Sequence, residues 1–245
     1  MRLLITGLGG TLAPVLAAAA LARGHAVLRW DRQAPGFESG GAFRQLQPDA
    51  VAHLGLSDAA GSRQLAGLAA EAGLPFLFTS TAMVFDHAPD GPHHPADPRT
   101  ARDDYGRLKI ASEDAVLAEC PSASVVRLGW QIGDAATGNT MLAALDRWQA
   151  EQGEVALSHA WRPACSHLHD TASALLDLLA HPGIHHLDAN TDEGWTMAEI
   201  GAALQRQHGR THWRLRVHED YRHDQRLKGG PVVPPLSARL PLQRA

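Results

Sequence analysis

The sequence of 245 residues is poor in aromatic residues and has no excess of positive charge. Phe, Trp and Tyr together make up 5% of the chain, and the formal net charge at pH 7 is −4. Proteins that bind single-stranded nucleic acids stack bases on aromatic rings, and nucleic-acid-binding domains in general carry a basic surface. The composition therefore argues against a nucleic-acid partner, and a small molecule is the expected ligand.

The chain also lacks the features of membrane and disulfide-bonded proteins. Its two cysteines, Cys120 and Cys165, are far apart in the sequence and have no metal-ligand spacing. No apolar run reaches the roughly eighteen residues of a transmembrane helix, and Gly7, Gly9 and Pro14 interrupt an N-terminal stretch that would otherwise resemble a signal peptide. Two free thiols suit a reducing compartment, so we expect a cytoplasmic protein with no membrane partner.

Histidine is more common, with 15 residues, and its clusters raise the question of a metal site. The pair His93-His94 and the group His181, His185 and His186 have no carboxylate or cysteine at helical ligand spacing. We therefore predict no metal site and place these histidines in loops and on the surface.

A second polar group surrounds a predicted strand-end loop and comprises His159, Arg162, His167 and His169. Arg162 is the strongest candidate for a substrate contact among them. A guanidinium forms a planar fork of donors that fits a diphosphate or a carboxylate.

Short apolar runs alternate with helical patterns along the first half of the chain. The runs predict strands at 3–5, 26–30, 49–54, 76–81 and 124–128, and helices at 11–22, 59–72 and about 103–119. Alternation with short connections is typical of parallel strands joined by right-handed crossovers. The predicted fold class is α/β, a Rossmann-like doubly wound parallel sheet with a small C-terminal substrate lobe.

Beyond residue 133 the pattern loosens, which bears on the domain organisation. Helices are predicted near 139–150, 170–179 and 196–207, and strands near 155–157 and 185–187. We assign residues 1–135 to a dinucleotide-binding domain that is continued by about 155–190. The segments of about 136–154 and 191–245 are assigned to the small substrate lobe.

A glycine-rich turn follows the first predicted strand. The run Gly7-Leu8-Gly9-Gly10-Thr11-Leu12-Ala13 has the form G-x-x-G-x-x-A between a strand and a helix. The first glycine allows a tight turn, the second lets the backbone approach a pyrophosphate, and the helix N-terminus offers N–H groups to phosphates. We predict that NAD or NADP binds to this turn, at Gly7, Gly9, Gly10, Thr11 and Leu12.

The end of the second predicted strand bears on the choice of dinucleotide. Asp31 lies where a carboxylate binds the adenosine ribose hydroxyls of NAD, whereas the neighbouring Arg32 suits the 2′-phosphate of NADP. The pair leaves both dinucleotides open, with a slight preference for NAD.

Tyrosine and lysine are scarce, with two of each, and one of each falls four residues apart in Tyr105-Gly106-Arg107-Leu108-Lys109. On a helix this spacing places both side chains on one face. A neighbouring ammonium favours phenolate, so we predict that Lys109 lowers the pKa of Tyr105 from its usual value of about 10 and makes it a proton donor at neutral pH. The alternative is an exposed helix with an incidental pair.

Several stretches resemble the dTDP-4-dehydrorhamnose reductases, a family of the short-chain dehydrogenase/reductase superfamily. Ser80–Asp86 resembles their S-T-D-Y-V-F-D run, and Tyr105–Lys109 with Glu113 resembles Y-G-x-S-K-x-x-x-E. Val126–Trp130 resembles their L-R-T-S-W strand, and Gln47–Val51 their K-P-D-V-V segment. The resemblance extends over residues 1 to about 190.

The resemblance implies an NAD(P)-dependent reductase that acts on a carbonyl of a sugar or sugar nucleotide. Tyr105 would protonate the ketone oxygen, and Lys109 would bind the nicotinamide ribose and lower the tyrosine pKa. Thr81 would hydrogen-bond the reacting carbonyl, and Trp130 would line the sugar pocket. Many members pair through helices beside the sheet, which leaves a homodimer open as the assembly.

The sequence departs from this family in its carboxy-terminal lobe, which is shorter, and at two places before it. His53-Leu54-Gly55-Leu56 replaces an asparagine–alanine turn, and the stretch from there to Ser80 is shorter. Ala82 and Met83 replace an Asp-Tyr pair, which removes two polar pocket groups. These departures bear on the substrate more than on the dinucleotide. Two alternatives therefore stay open: a nucleotide-sugar epimerase or dehydratase, and a non-catalytic NAD(P)-binding regulatory protein.

Overall fold

The structure is a computed structural model that describes residues 1–30 and 40–244. Its strands are β1 (Arg2–Thr6), β2 (Ala26–Arg29), β3 (Ala50–His53), β4 (Phe76–Thr81), β5 (Ser124–Leu128), β6 (Trp130–Ile132), β7 (Val155–Ser158), β8 (Trp161–Arg162), β9 (Cys165–His167), β10 (Gly183–Leu187), β11 (Leu215–His218) and β12 (His223–Asp224). Its α-helices are α1 (Ala13–Ala22), α2 (Gly41–Leu46), α3 (Ala59–Glu71), α4 (Asp104–Glu119), α5 (Met141–Gln152), α6 (Leu168–Leu178) and α7 (Met197–Gln207).

The main sheet has six strands in the order β10-β5-β4-β3-β1-β2. β1 is parallel to both β2 and β3, and β3 is parallel to β4. The chain first builds outward from β1 to β2 and then continues on the other side with β3, so the winding reverses between β1 and β3. Sheets of this kind bind ligands outside the carboxyl ends of the strands at such a reversal. The predicted α/β class and doubly wound sheet are confirmed.

The chain divides into two compact units, and the first comprises Met1–Thr81, Asp103–Arg127 and Ala172–His185. Its core brings strand residues such as Val51 and Phe76 together with the helical residues Leu65 of α3 and Val116 of α4. Every residue of β3 and β4 is buried. Burial on both faces explains why these strands read as continuous apolar runs rather than as alternating patterns.

The second unit comprises Ala82–Arg102, Leu128–Thr171 and His186–Ala245. Apolar side chains of α5, α7 and β7 form its core, among them Leu145, Ile200 and Leu157. This unit also contains three two-stranded parallel pairs: β6 with β9, β7 with β11, and β8 with β12. The domain assignment made from the sequence stays a prediction, because compactness alone does not show that a segment folds by itself.

The structure adds elements that the sequence pattern did not predict. The short strands β6, β8, β9 and β12 have two or three residues each, which is too few to show a period. A 3₁₀ turn follows β4 at Ala82–Phe85. None of the described helices combines the length and the apolar character that a bilayer crossing requires.

Candidate active site

The glycine turn lies at the carboxyl end of β1, directly before α1. Gly7 has a φ of +79°, and its carbonyl accepts the N–H of Gly10 at 2.8 Å, which closes the turn. A Cβ on Gly7 would lie 2.8 Å from the Cα of Gly55, on the turn after β3, so this close approach of two backbones requires glycine. A Cβ on Gly9 would meet no atom within 4 Å, so the backbone there borders open space.

The first turn of α1 offers polar backbone groups to a ligand. No side chain caps its N-terminus at Leu12, and Pro14 occupies the first turn. An uncapped helix N-terminus beside open space suits the phosphates of a dinucleotide. The residues present therefore fit NAD or NADP. Asp31 and Arg32 lie outside the described residues, and their roles in selecting between the two stay predictions.

Thr81 and Tyr105, from separate segments of the chain, share a hydrogen bond. Thr81 is the last residue of β4 and is buried, whereas Tyr105 lies in the first turn of α4 and is 44% exposed. Asp103 caps α4, since its carboxylate accepts the N–H of Gly106 at 2.8 Å. This cap stabilises the first turn of the helix and thereby fixes the backbone position from which the Tyr105 side chain extends.

The electrostatics of Tyr105 differ from the prediction. Partial burial raises the pKa of Tyr105, the hydrogen bond with Thr81 partly offsets that rise, and the charge of Asp103 adds to it. The predicted lowering of the tyrosine pKa is therefore wrong. A raised pKa keeps the phenol protonated at neutral pH, which is the state that a general acid needs before it reacts.

Lys109 lies one helical turn after Tyr105 and is 6% exposed. Its Nζ donates to the carbonyl oxygen of Thr79 at 3.1 Å and lies 4.9 Å from the centre of the Phe78 ring. Burial lowers the pKa of Lys109 to about 8, an effect that the carboxylate of Glu113 partly offsets. Its ammonium is therefore held in place by contacts within the first unit, on the same face of α4 as the phenol.

Glu113, one turn further along α4, forms a buried ion pair with Arg127 on β5. Arg127 Nε lies 2.9 Å from Glu113 Oε1, and Arg127 Nη2 lies 2.7 Å from Glu113 Oε2. Glu113 and Arg127 are 0% and 1% exposed. The two-pronged geometry is the one in which guanidinium–carboxylate pairs are strongest. This pair was not predicted from the sequence, although the four-residue step from Lys109 to Glu113 already places the carboxylate on the same face of α4 as the lysine.

Trp130 and Arg162, the predicted substrate residues, belong to the second unit. The Trp130 ring on β6 stacks on Trp161 with centroids 6.2 Å apart, and Trp161 meets the Tyr221 ring edge-on at 5.2 Å. Arg162 follows Trp161 on β8 and is exposed. The sequence does not reveal the packing of Trp130 with Trp161 and Tyr221, because these rings come from segments far apart in the chain. The substrate roles of Trp130 and Arg162 stay predictions.

The histidines divide between surface and interior. Within residues 1–30 and 40–244, no group of three or more His, Cys, Asp or Glu residues is arranged to hold a metal ion. His93 and His186 are 4% and 1% exposed, so their predicted surface placement is wrong. His93 stacks on Phe85 at 4.6 Å, and His186 Nδ1 lies 3.1 Å from the carbonyl oxygens of His93 and Lys228. Stacking and backbone hydrogen bonds account for their burial.

Comparisons with known proteins agree with the fold and with the motifs. The family profile described as "RmlD substrate binding domain" matches residues 55–212. The chain is 31% identical over 201 residues to a dTDP-4-dehydrorhamnose reductase of Mycobacterium tuberculosis, a match that covers 72% of this chain and 65% of the relative. The chain thus spans less than two thirds of that relative's length.

Solved structures share the fold. The dTDP-4-dehydrorhamnose reductase of Bacillus anthracis in complex with NADP has a TM-score of 0.82 at 16% identity, over 97% of this chain and 96% of that chain. The Bordetella bronchiseptica enzyme WbmH in complex with NAD+ has a TM-score of 0.77 at 20% identity, over 97% of this chain and 94% of that chain.

The matched segment begins at Gly55 and contains Thr81, Tyr105, Lys109 and Trp130, whereas the glycine turn precedes it. The resemblance to dTDP-4-dehydrorhamnose reductases inferred from the sequence motifs is thereby confirmed. Because the profile matches more than half of the sequence, the chain belongs to the RmlD substrate binding domain family.

Proposed function

We propose that the chain is an NAD(P)-dependent reductase that acts on the carbonyl of a nucleotide-activated sugar, as its dTDP-4-dehydrorhamnose reductase relatives do by name. One observation carries this proposal: Tyr105 is hydrogen-bonded to Thr81 and lies one helical turn before the buried Lys109. Two hydroxyls and an ammonium of this kind stabilise negative charge that develops on a carbonyl oxygen.

The glycine turn would hold the dinucleotide. Support comes from the uncapped N-terminus of α1 at Leu12 and from the open space at Gly9, with Gly7, Gly10 and Thr11 completing the turn. When bound, NAD(P)H supplies a hydride to the carbonyl carbon of the substrate. The glycine turn itself contributes binding and orientation.

Tyr105 would give its phenolic proton to the carbonyl oxygen as the hydride arrives at carbon. On substrate binding, Thr81 would turn its single O–H proton from Tyr105 to the same oxygen, which positions the carbonyl beside the phenol. Proton transfer would leave a phenolate on Tyr105, and the Lys109 ammonium on the same helix face would offset part of the cost of that partly buried anion. Lys109 would also bind the nicotinamide ribose, as the family resemblance implies.

Trp130 and Arg162 would contribute to substrate recognition. The exposed guanidinium of Arg162 suits the diphosphate of a sugar nucleotide. The Trp130 ring, held by its stacking on Trp161, offers a rigid face to a sugar ring. A homodimer and a cytoplasmic location complete the proposal, the latter supported by two cysteines that are free and buried.

The test is the oxidation of NADPH and NADH by the purified chain with dTDP-4-dehydrorhamnose, compared between wild type and Tyr105→Phe. We expect oxidation by the wild type and its loss in the variant. Equal rates in both would contradict the role of the phenol. Tight dinucleotide binding with no conversion of any sugar nucleotide would favour the regulatory alternative. Conversion of a sugar nucleotide without net oxidation would favour an epimerase or dehydratase.

A further inference from the structure

We infer that His53 is a positioning residue for the dinucleotide: it fixes the turn after β3, against which the glycine turn of β1 is packed. This inference rests on the proposed function, because it concerns how the chain shapes the same coenzyme site. It assigns a role to the segment in which the sequence departs from the family, where His53-Leu54-Gly55-Leu56 replaces an asparagine–alanine turn.

The first link joins the ends of β1 and β3. His53 and Thr6 are the last residues of these parallel strands and are direct partners in the register. Their side chains are 2% and 4% exposed, and His53 Nδ1 lies 2.7 Å from Thr6 Oγ1. The same threonine oxygen accepts the N–H of Gly55 at 2.8 Å. One hydroxyl therefore ties the imidazole to the backbone of the turn after β3.

The second link holds the other side of the imidazole. His53 Nε2 lies 2.9 Å from Ser57 Oγ and 3.4 Å from Ser62 Oγ, and the two serine oxygens are 2.8 Å apart. The Phe78 ring packs against the imidazole with a centroid distance of 5.6 Å. With hydrogen bonds at both nitrogens and a ring beside it, the imidazole has one orientation.

The third link reaches the dinucleotide-binding backbone. Gly7 and Gly55 approach so closely that a Cβ on Gly7 would lie 2.8 Å from Gly55 Cα. A Cβ on Gly55 would in turn lie 3.1 Å from Thr6 Oγ1. Thr6 and His53 set the position of Gly55, and the backbone of Gly55 in turn limits where Gly7 can lie. Gly7 closes the turn through Gly10 and leads to the open space at Gly9.

A displacement of the Gly55 backbone would shift the N–H groups of the glycine turn that bind the pyrophosphate. Backbone N–H groups bind an anion well only when they are already aimed at it, and misplacement weakens binding without changing the chemistry that follows. His53 touches no reacting atom in this account. It acts through Thr6 and Gly55, so its substitution should alter coenzyme affinity rather than the rate of the bound complex.

The test compares two substitutions with a conservative rescue and a matched control. Thr6→Val removes the shared hydroxyl and keeps the side-chain shape, His53→Phe keeps a ring without nitrogens, and Thr6→Ser restores the hydroxyl. Ser124→Ala is the control, because its hydroxyl is buried without a hydrogen-bond partner in the described structure. For each variant, NADPH and NADH dissociation constants are measured by calorimetry, together with the melting temperature and steady-state kinetics.

We expect Thr6→Val and His53→Phe to raise the coenzyme dissociation constant and KM about tenfold, the effect of one well-placed hydrogen bond, with kcat changed by less than about twofold. Thr6→Ser and Ser124→Ala should both bind coenzyme like the wild type. A defect of folding alone would instead lower kcat through the active fraction and leave KM unchanged.

Two results would overturn the inference and separate it from the proposed function. If Thr6→Val melts at a lower temperature but binds coenzyme like the wild type, the network serves folding only, and the reductase proposal is untouched. If His53→Phe does not fold, the contrast between Thr6→Val and Thr6→Ser decides the question. If the wild type itself binds neither NADPH nor NADH, the proposed function fails and this inference fails with it.

Discussion

The two tyrosines of the chain make Tyr105 unusually easy to test. Tyr105 shares a hydrogen bond with Thr81, whereas Tyr221 lies in the second unit with its hydroxyl 2.9 Å from His223 Nδ1. Tyr105→Phe removes only the acidic hydroxyl, so kcat should fall about 10²- to 10⁴-fold, the usual contribution of a general acid. Initial rates and a coenzyme titration check this expectation.

Tyr221→Phe is the matched control and should retain the wild-type kcat. Coenzyme affinity should change by less than about twofold in both variants, because neither hydroxyl is assigned to dinucleotide binding. A Tyr105→Phe protein with full activity, or a loss of equal size in Tyr221→Phe, would show that the proton comes from elsewhere.

The pKa of Lys109 predicts a pH profile. Burial lowers this pKa to about 8, so in the free protein Lys109 loses its positive charge as the pH rises through about 8. The ammonium that would bind the nicotinamide ribose is then absent. The value of kcat/KM for the coenzyme reports the free protein and should therefore decrease on the alkaline side with a midpoint near pH 8. Lys109→Arg keeps its charge far above this pH, so its alkaline limb should move upward even if its overall rate is lower.

Lys228→Arg, which alters the other lysine, supplies the control for this profile. Lys228 is exposed, and its exchange should leave the midpoint of the alkaline limb where it is. An identical alkaline limb in wild type and Lys109→Arg would mean that Lys109 is not the titrating group.

For single residues, the sequence predicted their place in helices and strands better than their burial and pKa. The four-residue step correctly placed Tyr105 and Lys109 on one helix, whereas the role that the family motif gives to Thr81 stays a prediction. It did not predict that the phenol would be partly buried and its pKa raised, because burial depends on neighbours from β4 that are remote in the chain. The contact of Thr6 with His53, 47 residues apart, was beyond local patterns for the same reason.

The turn between β1 and α1 allows a test at the scale of an element. Gly7 and Gly24 have φ values of +79° and +76°, but a Cβ on Gly24 would meet no atom within 4 Å. Gly24→Ala should therefore cost only the strain of a left-handed alanine, about 1–2 kcal/mol. Gly7→Ala adds the clash with Gly55 and should cost roughly 1–3 kcal/mol more. Urea unfolding of the two variants measures the difference.

Equal losses of stability in Gly7→Ala and Gly24→Ala would contradict the close packing of the two turns. Such a result would mean that Gly55 moves aside at little cost. The dissociation constant for NADPH, measured on the same samples, shows whether that movement also disturbs coenzyme binding.

The attachment of α4 to β5 depends on the buried pair of Glu113 and Arg127. Arg127→Met leaves a buried carboxylate without its partner and should lower the free energy of unfolding by about 3–5 kcal/mol. The double variant Arg127→Met/Glu113→Leu removes both charges and should lose less than Arg127→Met alone. Denaturant unfolding of both variants tests this order, and a double variant less stable than the single one would contradict it.

An exposed ion pair on the same helix provides the comparison. Arg107 Nη2 lies 2.6 Å from Asp104 Oδ1, with side chains 62% and 98% exposed. Arg107→Met should cost less than about 0.5 kcal/mol, because water already solvates both groups. A loss as large as that of Arg127→Met would show that burial does not explain the difference.

Strands of five or six residues could be predicted from the sequence, whereas strands of two residues could not. The predicted strands at 76–81 and 124–128 coincide with β4 and β5, since buried parallel strands give continuous apolar runs. β8 and β12 have two residues each and exist through their pairing with one another, some sixty residues apart in the chain. A strand of two residues is too short to show a hydrophobic pattern from which such a pair could be predicted.

At the scale of the molecule, the order of elements determined what could be predicted. Strand–helix alternation and a glycine turn indicated a doubly wound sheet, and the observed order β10-β5-β4-β3-β1-β2 is of that kind. The substrate side was less accessible to sequence reasoning. The grouping of Trp130, Trp161 and Tyr221 joins two short strands and a loop of the second unit, and their positions follow from tertiary packing rather than from local propensity.

The proposed function requires that this chain transfers a hydride from a nicotinamide coenzyme to a sugar carbonyl. The direct measurement uses NADPH carrying deuterium at the transferable position of C4, in both stereochemical forms, with dTDP-4-dehydrorhamnose and mass analysis of the sugar product. We predict that one of the two forms gives a product with one deuterium per coenzyme oxidised, and that Tyr105→Phe gives almost none. A product without deuterium from either form, or no product from a wild type saturated with coenzyme, would contradict the account.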